Sequence, residues 1–303
     1  MATRKTILIT GCSDGGLGSA LAIAMQQRGL HVFATARDPS KMSEIDSLPN
    51  VTKMTLDVVK PTDIRAVVEL VTKQTGGNLD YLVCNAGRNH FMPILDENLD
   101  TVRKMFEINF YGPLAITQAF SPLLIKAKGM AVYITSISGY CNVPYMGTYS
   151  ASKRSLEIVA ETLRLEMAPF GVDVLEVVTG AVKSNGQTYF GDFKLPEQSP
   201  YKNIESLIAS RAQGKDGVHR METAEYATGV ADKILQRTTG RFWYGSNADE
   251  TRMGTTASNV PPSIMARLKT LLATMFFFVS GPGNATRMMD NGMSAGCGLD
   301  TLK

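Results

Sequence analysis

One feature constrains this chain more than any other: a β-branched run that ends on a cluster of glycines. Thr6-Ile7-Leu8-Ile9-Thr10 is apolar on both faces, as a strand buried inside a parallel sheet must be. It leads into Gly11-Cys12-Ser13-Asp14-Gly15-Gly16-Leu17-Gly18, where glycine lets the backbone turn tightly and approach a ligand closely. An apolar helical spacing follows at Ala20, Leu21, Ala24 and Met25, and stops at Gly29. A second strand, Leu30 to Thr35, comes next. Strand, glycine turn, helix, strand in that order is the mononucleotide-binding half of a doubly wound α/β fold. In that fold the free N–H groups at the helix start hold a pyrophosphate.

Where the second strand ends, such folds read the adenosine ribose. An acid holds a 2′-hydroxyl, whereas an arginine suits a 2′-phosphate. Ala36-Arg37-Asp38 puts the arginine first, which points to NADP, and Ser13 offers a hydroxyl to the same phosphate. Asp38, one place later, leaves open an NAD ribose contact or a plain surface ion pair with Arg37.

Alternation continues along the chain. Val51 to Leu56 reads as a third strand ending at Asp57-Val58, whose carboxylate suits an adenine amino group. Pro61 to Thr75 is helical, with Ile64, Val67, Val68 and Val71 on one face. Leu79 to Val83 is a fourth strand that runs into Cys84-Asn85-Ala86-Gly87. The next helix, Leu99 to Ile125, carries Asn109 and is expected to be interrupted near Pro113 and Pro122. Met130 to Thr135 is a fifth strand with Ser136 at its carboxyl end, and strands at Val172 to Val178 and Phe242 to Tyr244 bring the sheet to about seven. Ligands of open parallel sheets bind at the carboxyl ends of strands, so the glycine turn, Asn85-Ala86-Gly87 and Ser136 fall on one edge.

Composition narrows the class. The 303 residues suffice for one large domain, and 31 basic against 28 acidic residues give a charge of +3 without long runs. No basic stripe with interleaved aromatics is present, which argues against nucleic acid as a partner. Cys12, Cys84, Cys141 and Cys297 are widely spaced, so a reduced, cytoplasmic protein without disulfides is expected. His31, His90 and His219 share no ligand spacing, and no metal site is expected. The apolar run after Lys5 is too short for a signal peptide.

The chemistry centres on Tyr149-Ser150-Ala151-Ser152-Lys153. Tyr149 and Lys153, four positions apart, share one face of a helix. An ammonium beside a phenol favours the phenolate, so Lys153 is expected to pull the Tyr149 pKa below its ordinary value of ~10. A tyrosine tuned in this way serves as a general acid or base, and Ser136 would give a hydroxyl to the same substrate oxygen.

Thr10-Gly11 with Gly16-Leu17-Gly18, Asn85-Ala86-Gly87, Asn109, Ser136 and Tyr149-x-x-x-Lys153, in that order, resemble the short-chain dehydrogenase/reductase family from Lys5 to Gly245. The resemblance implies a Rossmann-like single domain over 1–245 and a catalytic set of Asn109, Ser136, Tyr149 and Lys153. In that set Tyr149 donates the proton to a carbonyl, Ser136 polarises it, Lys153 binds the nicotinamide ribose, and Asn109 anchors a relay water. It implies cofactor contacts at Gly11, Ser13, Gly16, Leu17, Gly18, Arg37, Asp57, Val58, Asn85, Ala86, Gly87, Tyr149, Lys153, Val182 and Ser184.

Two departures stand out. The family turn has three residues between its first two glycines, but here four separate Gly11 from Gly16. After the sixth strand the family has Pro-Gly, but here Thr179-Gly180-Ala181-Val182-Lys183-Ser184. Both resemble the fungal branch that holds NADPH-dependent 1-acyl-dihydroxyacetone-phosphate reductases and secondary-metabolite ketoreductases.

The expected substrate lid is 185–217, which mixes Tyr189, Phe190, Phe193, Leu195, Tyr201 and Ile204 with glycine and proline. A surface loop packing those aromatics on the core is the alternative. Cys141, Val143, Tyr145 and Met146 are further candidates for the pocket, and no cluster of arginines marks a phosphate-bearing substrate. Beyond Gly245, 246–303 reads as an extension: a polar loop from Asn247 to Pro262, a helix at about 263–279, and a loose tail. The helix is too short in apolar residues to span a bilayer. It either lies on a membrane or lipid-droplet surface or covers the pocket or a homo-oligomer interface.

The expectation is an NADPH-dependent enzyme reducing a ketone of a hydrophobic small molecule. Oxidation of a steroid- or retinol-like secondary alcohol and a non-catalytic NADPH-binding protein are the alternatives.

Overall fold

In chain order the elements begin with β1 (Thr6–Thr10), α1 (Leu17–Gln27), β2 (His31–Ala36), β3 (Val51–Thr55), α2 (Pro61–Thr75), β4 (Tyr81–Cys84) and α3 (Leu99–Phe106). They continue with α4 (Gly112–Ala127), β5 (Met130–Ile134), α5 (Gly147–Met167), β6 (Asp173–Thr179), α6 (Glu205–Ala212), α7 (Thr223–Leu235), β7 (Gly240–Tyr244) and α8 (Ala248–Thr256). These come from a computed structural model that describes residues 4–256. The helix expected at 263–279, its membrane-surface reading, the tail and Cys297 lie outside the described residues.

The strands form one sheet in the order β3-β2-β1-β4-β5-β6-β7, with every neighbouring pair parallel. Strand order reverses between β1 and β4, and that switch point is where an open α/β sheet leaves a crevice at its carboxyl edge. Each strand side chain faces one of two cores. Ile7 and Ile9 pack with Leu21, Met25, Val230 and Ile234 of α1 and α7. Leu8 packs with Val67, Val71, Ile116 and Phe120 of α2 and α4. Ile7, Leu8 and Ile9 are fully buried, each contributing roughly 1.5–3 kcal/mol. A third, separate cluster of Phe91, Phe190, Leu195, Ile208 and Ala212 sits under the 185–217 segment.

Strand positions agree with the sequence reading to within one or two residues, but two expectations are corrected. The long helix is interrupted next to Pro113, as expected, but it does not break at Pro122. Pro113 lies in the first turn of α4, where its missing N–H is not needed. Pro122 lies inside α4, and the carbonyl it leaves unpaired, that of Gln118, accepts from the Ser121 hydroxyl at 2.9 Å. The interruption beside Pro113 is a π turn at Glu107–Tyr111, which buries Asn109. The polar segment after Gly245, expected as a loop, is helical as α8. Its threonines return their hydroxyls to the helix: Thr251 to the Asn247 carbonyl at 2.8 Å and Thr255 to that of Thr251 at 2.7 Å.

Candidate active site

A cavity of about 760 Å³ opens at the carboxyl edge of the sheet. At one end its wall is the glycine turn. Gly11 adopts φ +77°, and a Cβ there would stand 2.9 Å from Ala86 Cα. The turn is clamped to β4 by two side chains. Thr10 Oγ1 accepts from Asn85 N at 3.0 Å and Ala86 N at 2.9 Å, while Asn85 Nδ2 donates to the carbonyls of Thr10 and Gly11 at 2.8 and 3.0 Å. α1 then starts at Gly16 with no side chain capping it and no acid in its first turn, so its N–H groups are available to an anion. Gly11, Ser13, Gly16 and Leu17 line the cavity. Gly18 does not; a Cβ on it would lie 2.3 Å from the Gly11 carbonyl oxygen, so its place is to let α1 press against the turn.

The inserted residue of the turn is accounted for. Asp14 points away from the cavity and accepts from Ser43 N, Ser43 Oγ and Glu44 N at 2.9, 2.8 and 2.9 Å. Glu44 in turn takes Gly15 N at 3.1 Å and Ser19 Oγ at 2.7 Å. The extra length is spent on a tie to the segment after β2.

Arg37 is exposed and lines the cavity at the end of β2. Asp38 is occupied elsewhere, capping the turn Pro39–Lys41 by accepting from Ser40 N at 3.0 Å and Ser40 Oγ at 2.7 Å. The ion pair between Arg37 and Asp38 is not formed. Asp57, Val58, Asn85, Ala86, Gly87, Val182 and Ser184 also line the wall. The site therefore fits a dinucleotide: open helix N–H groups for a pyrophosphate, an arginine for a 2′-phosphate, and side-chain-free backbone between them.

Ser136, Tyr149 and Lys153 meet at the middle of the cavity. Ser136 caps the turn Ile137–Gly139, and its Oγ accepts from Ser138 N at 3.2 Å and Ser138 Oγ at 2.8 Å. Both of its acceptor positions are filled, which leaves its own proton to donate, and the Tyr149 phenol lies near enough to feel it. Lys153 Nζ donates to the Ile134 carbonyl at 3.0 Å. The expectation that Lys153 lowers the Tyr149 pKa is not met. Burial pushes the phenol up to about 12, Glu157 pushes the same way, and the opposing influence is the Ser136 hydrogen bond. Burial also pulls Lys153 down to about 8, which weakens the ammonium as a source of field.

Asn109 does not reach the cavity wall. Its Oδ1 accepts from Arg88 N at 2.8 Å, and its Nδ2 donates to the Arg88 carbonyl at 2.9 Å and to Ser152 Oγ at 3.1 Å. Ser152 Oγ donates to the Tyr149 carbonyl at 2.7 Å, so Asn109 braces the helix that carries the tyrosine. Thr10 belongs to a motif the sequence marks, whereas Ser138 and Ser152 are given no role by it; their spacing from the motifs is the only signal for them.

At the far end the wall comes from distant segments: Arg88, Phe91, Cys141, Val143, Met146, Tyr189, Arg211, Arg220 and, from α8, Glu250 and Thr251. Tyr145 turns away and packs edge-on to Tyr201 at 6.2 Å. Arg88, Arg211 and Arg220 line this end together with the acids Asp216 and Glu250. Arg88 stands 6.0 Å over the Tyr189 ring, and Arg220 is paired with Asp216 at 2.9 Å. In the 185–217 segment, Phe190 and Leu195 are buried in their own cluster while Tyr189 is half exposed on the cavity. Asn185 Nδ2 ties the segment to the glycine turn through the Asp14 carbonyl at 2.6 Å. Cys12 and Cys84 lie fully buried, each pushed up to about 12, and are chemically quiet. Among the described residues no helix is long and apolar enough to cross a membrane.

Comparison with known proteins gives a consistent picture. The model of the family described as short chain dehydrogenase matches residues 5–194. The chain is 47% identical over 245 residues to "Short-chain dehydrogenase PC-15" of Penicillium crustosum, covering 81% of this chain and 90% of that one. It is 36% identical over 249 residues to "NADPH-dependent 1-acyldihydroxyacetone phosphate reductase" of Schizosaccharomyces pombe, covering 80% and 82%. Among solved structures, a short-chain dehydrogenase from Streptomyces avermitilis superposes with a TM-score of 0.73 at 28% identity, covering 90% of this chain and 97% of that one.

Proposed function

This chain belongs to the short-chain dehydrogenase family, and from that premise we propose that it is an NADPH-dependent reductase acting on a ketone of a hydrophobic small molecule. One observation carries the reading: Ser136, Tyr149 and Lys153 line one cavity with an uncapped helix start and with Arg37, which has no ion-pair partner among the described residues. Arg37 holds the 2′-phosphate, Gly11, Ser13, Gly16 and Leu17 cradle the pyrophosphate, and Asp57 and Val58 take the adenine. Asn85, Ala86, Gly87, Val182 and Ser184 shape the floor for the nicotinamide half. When bound, the reduced nicotinamide supplies the hydride.

The protein supplies the proton and its placement. A phenol pushed up to about 12 keeps its proton at neutral pH, so Tyr149 enters the reaction as the acid. Ser136 turns its one proton to the carbonyl oxygen beside that phenol, and Lys153 holds the ribose next to them. The apolar wall of Phe91, Val143, Met146 and Tyr189 suits a hydrophobic ketone such as a secondary-metabolite or polyketide ketone. A phosphate ester of the 1-acyl-dihydroxyacetone type is a second substrate class, favoured by the 36% identity to a reductase of that name and by Arg88 and Arg211 in the cavity lining.

NADPH consumption by the purified protein tests both readings against acyl-dihydroxyacetone phosphate, steroid, aromatic polyketide and small diketone carbonyls. Turnover of the ketones without the ester supports the first reading, and turnover of the ester supports the second. NADPH binding with no turnover of any carbonyl would remove the reductase.

A further inference from the structure

Behind the face that carries Tyr149 and Lys153 lies a buried acid that the reaction above leaves unused. Glu157 stands one further helical turn along α5 from Lys153, so the three side chains follow one stripe of the helix. Its side chain is fully buried. Oε2 accepts from Arg154 Nη1 at 3.1 Å, and among the described residues Oε1 has no hydrogen-bond partner. The carboxylate rests on the backbone of Gly139, where a Cβ would stand 2.4 Å from Oε1, so it supports the turn that begins at Ser136.

A second buried carboxylate, Glu176 of β6, completes the cluster. It accepts from Thr135 Oγ1 at 3.3 Å, Arg241 Nε at 3.3 Å and the Tyr140 hydroxyl at 3.5 Å. Arg154 and Arg241 lie 4.6 and 6.0 Å from the Tyr140 ring.

A buried carboxylate with one bare oxygen is costly to ionise, so its charge depends on what stands nearby. We propose that Glu157 is a positioning residue of the active site, which seats the Ser136 turn through Gly139 and, in its ionised form, holds the proton on Lys153, with Glu176 opposing that ionisation. The inference rests on the reading of Tyr149 and Lys153 given above.

The groups facing Glu157 are Tyr149, Lys153 and Arg154 on its own helix, Tyr140 and Cys141 on the turn, Glu176 from β6 and, through Glu176, Glu161 and Arg241. Burial and the Glu176 charge push the Glu157 pKa up, with Arg154 and Lys153 opposing. Burial pulls Lys153 down and Glu157 pulls it back up.

The two acids should therefore act on Lys153 in opposite senses. Loss of the Glu157 charge lowers the Lys153 pKa. Loss of the Glu176 charge lets Glu157 ionise more readily and raises it. Competitive acetylation of the full chain with acetic anhydride across pH, read by peptide mass spectrometry, reports the Lys153 midpoint without substrate or cofactor. Glu157→Gln is expected to lower that midpoint by at least about half a unit, and Glu176→Gln to raise it. An unmoved midpoint in folded Glu157→Gln, or shifts of the same sign in both variants, would overturn the proposal. If Glu157→Gln does not fold, Glu176→Gln decides alone, a rise supporting the proposal and no rise overturning it. Opposed shifts in a chain that reduces no ketone would remove the reductase and keep the coupling; unmoved midpoints in an active reductase would remove only the coupling.

Discussion

At the cofactor end of the cavity the walls are backbone; at the substrate end they are side chains borne by turns and short helices. The first end is set by close approaches that a single methyl group would spoil, as at Gly11 and Gly18. The second is assembled from Arg88, Cys141, Tyr189, Arg211 and Thr251, drawn from five separate segments and supported by a small core of its own. A backbone site tolerates little change and binds one kind of ligand. A side-chain site can be re-lined without disturbing the sheet, which suits a family that keeps its cofactor and varies its substrate.

The comparison is sharpened most by Tyr149, which stands where the two ends meet. Tyr149→Phe should lose on the order of 10²–10⁴ in turnover by steady-state kinetics while NADPH affinity is retained. Arg37→Ala should weaken NADPH by roughly 10- to 100-fold, the worth of a charge-assisted hydrogen bond, with NADH little affected, as measured by fluorescence titration. If the preference for NADPH survives, the phosphate is held by other residues.

Next comes a pair of glycines. Gly18→Ala drives a methyl group to 2.3 Å from the Gly11 oxygen and 2.5 Å from Asn85 Nδ2, and should cost about 1–3 kcal/mol in denaturant unfolding. Gly191→Ala, which meets nothing within 4 Å, should stay within about 0.5 kcal/mol. Equal costs would break the contrast between the two ends.

The smallest effect is on pH. Glu157 and Glu176 both have pKa values raised above the ordinary carboxyl value by burial. The folded chain then binds more protons than the unfolded one between the ordinary carboxyl range and neutrality, so their contribution is present at low pH and lost as pH rises through that window. Thermal unfolding should show a Tm that declines over this range, and Glu176→Gln should flatten the decline.

The same division decides what the sequence could disclose. Gly11, Gly16, Asn85, Ser136, Tyr149 and Lys153 were legible because backbone approach and helical spacing demand particular residues at fixed offsets. Asp38 was ambiguous until its hydrogen bonds to Ser40 showed where its charge is spent. The arginines at the substrate end were not legible, because Arg88 and Arg220 are more than a hundred residues apart and come to line one cavity only through the turns that fold over the sheet. Helix α8 was hidden by its own threonines, whose polarity reads as loop although their hydroxyls bond back to the helix. The direction of the Tyr149 shift was missed because spacing reports a neighbouring charge and says nothing of burial.

The central claim is that hydride passes from a nucleotide held by the backbone end to a ketone held by the side-chain end. Its most direct test follows deuterium from NADPH labelled at the transferred position, with a hydrophobic ketone as acceptor. The account expects the label on the former carbonyl carbon of the product alcohol, with roughly 10²–10⁴ times less labelled alcohol formed by Tyr149→Phe in the same time. Label that stays on a bound but unconsumed nicotinamide would contradict it.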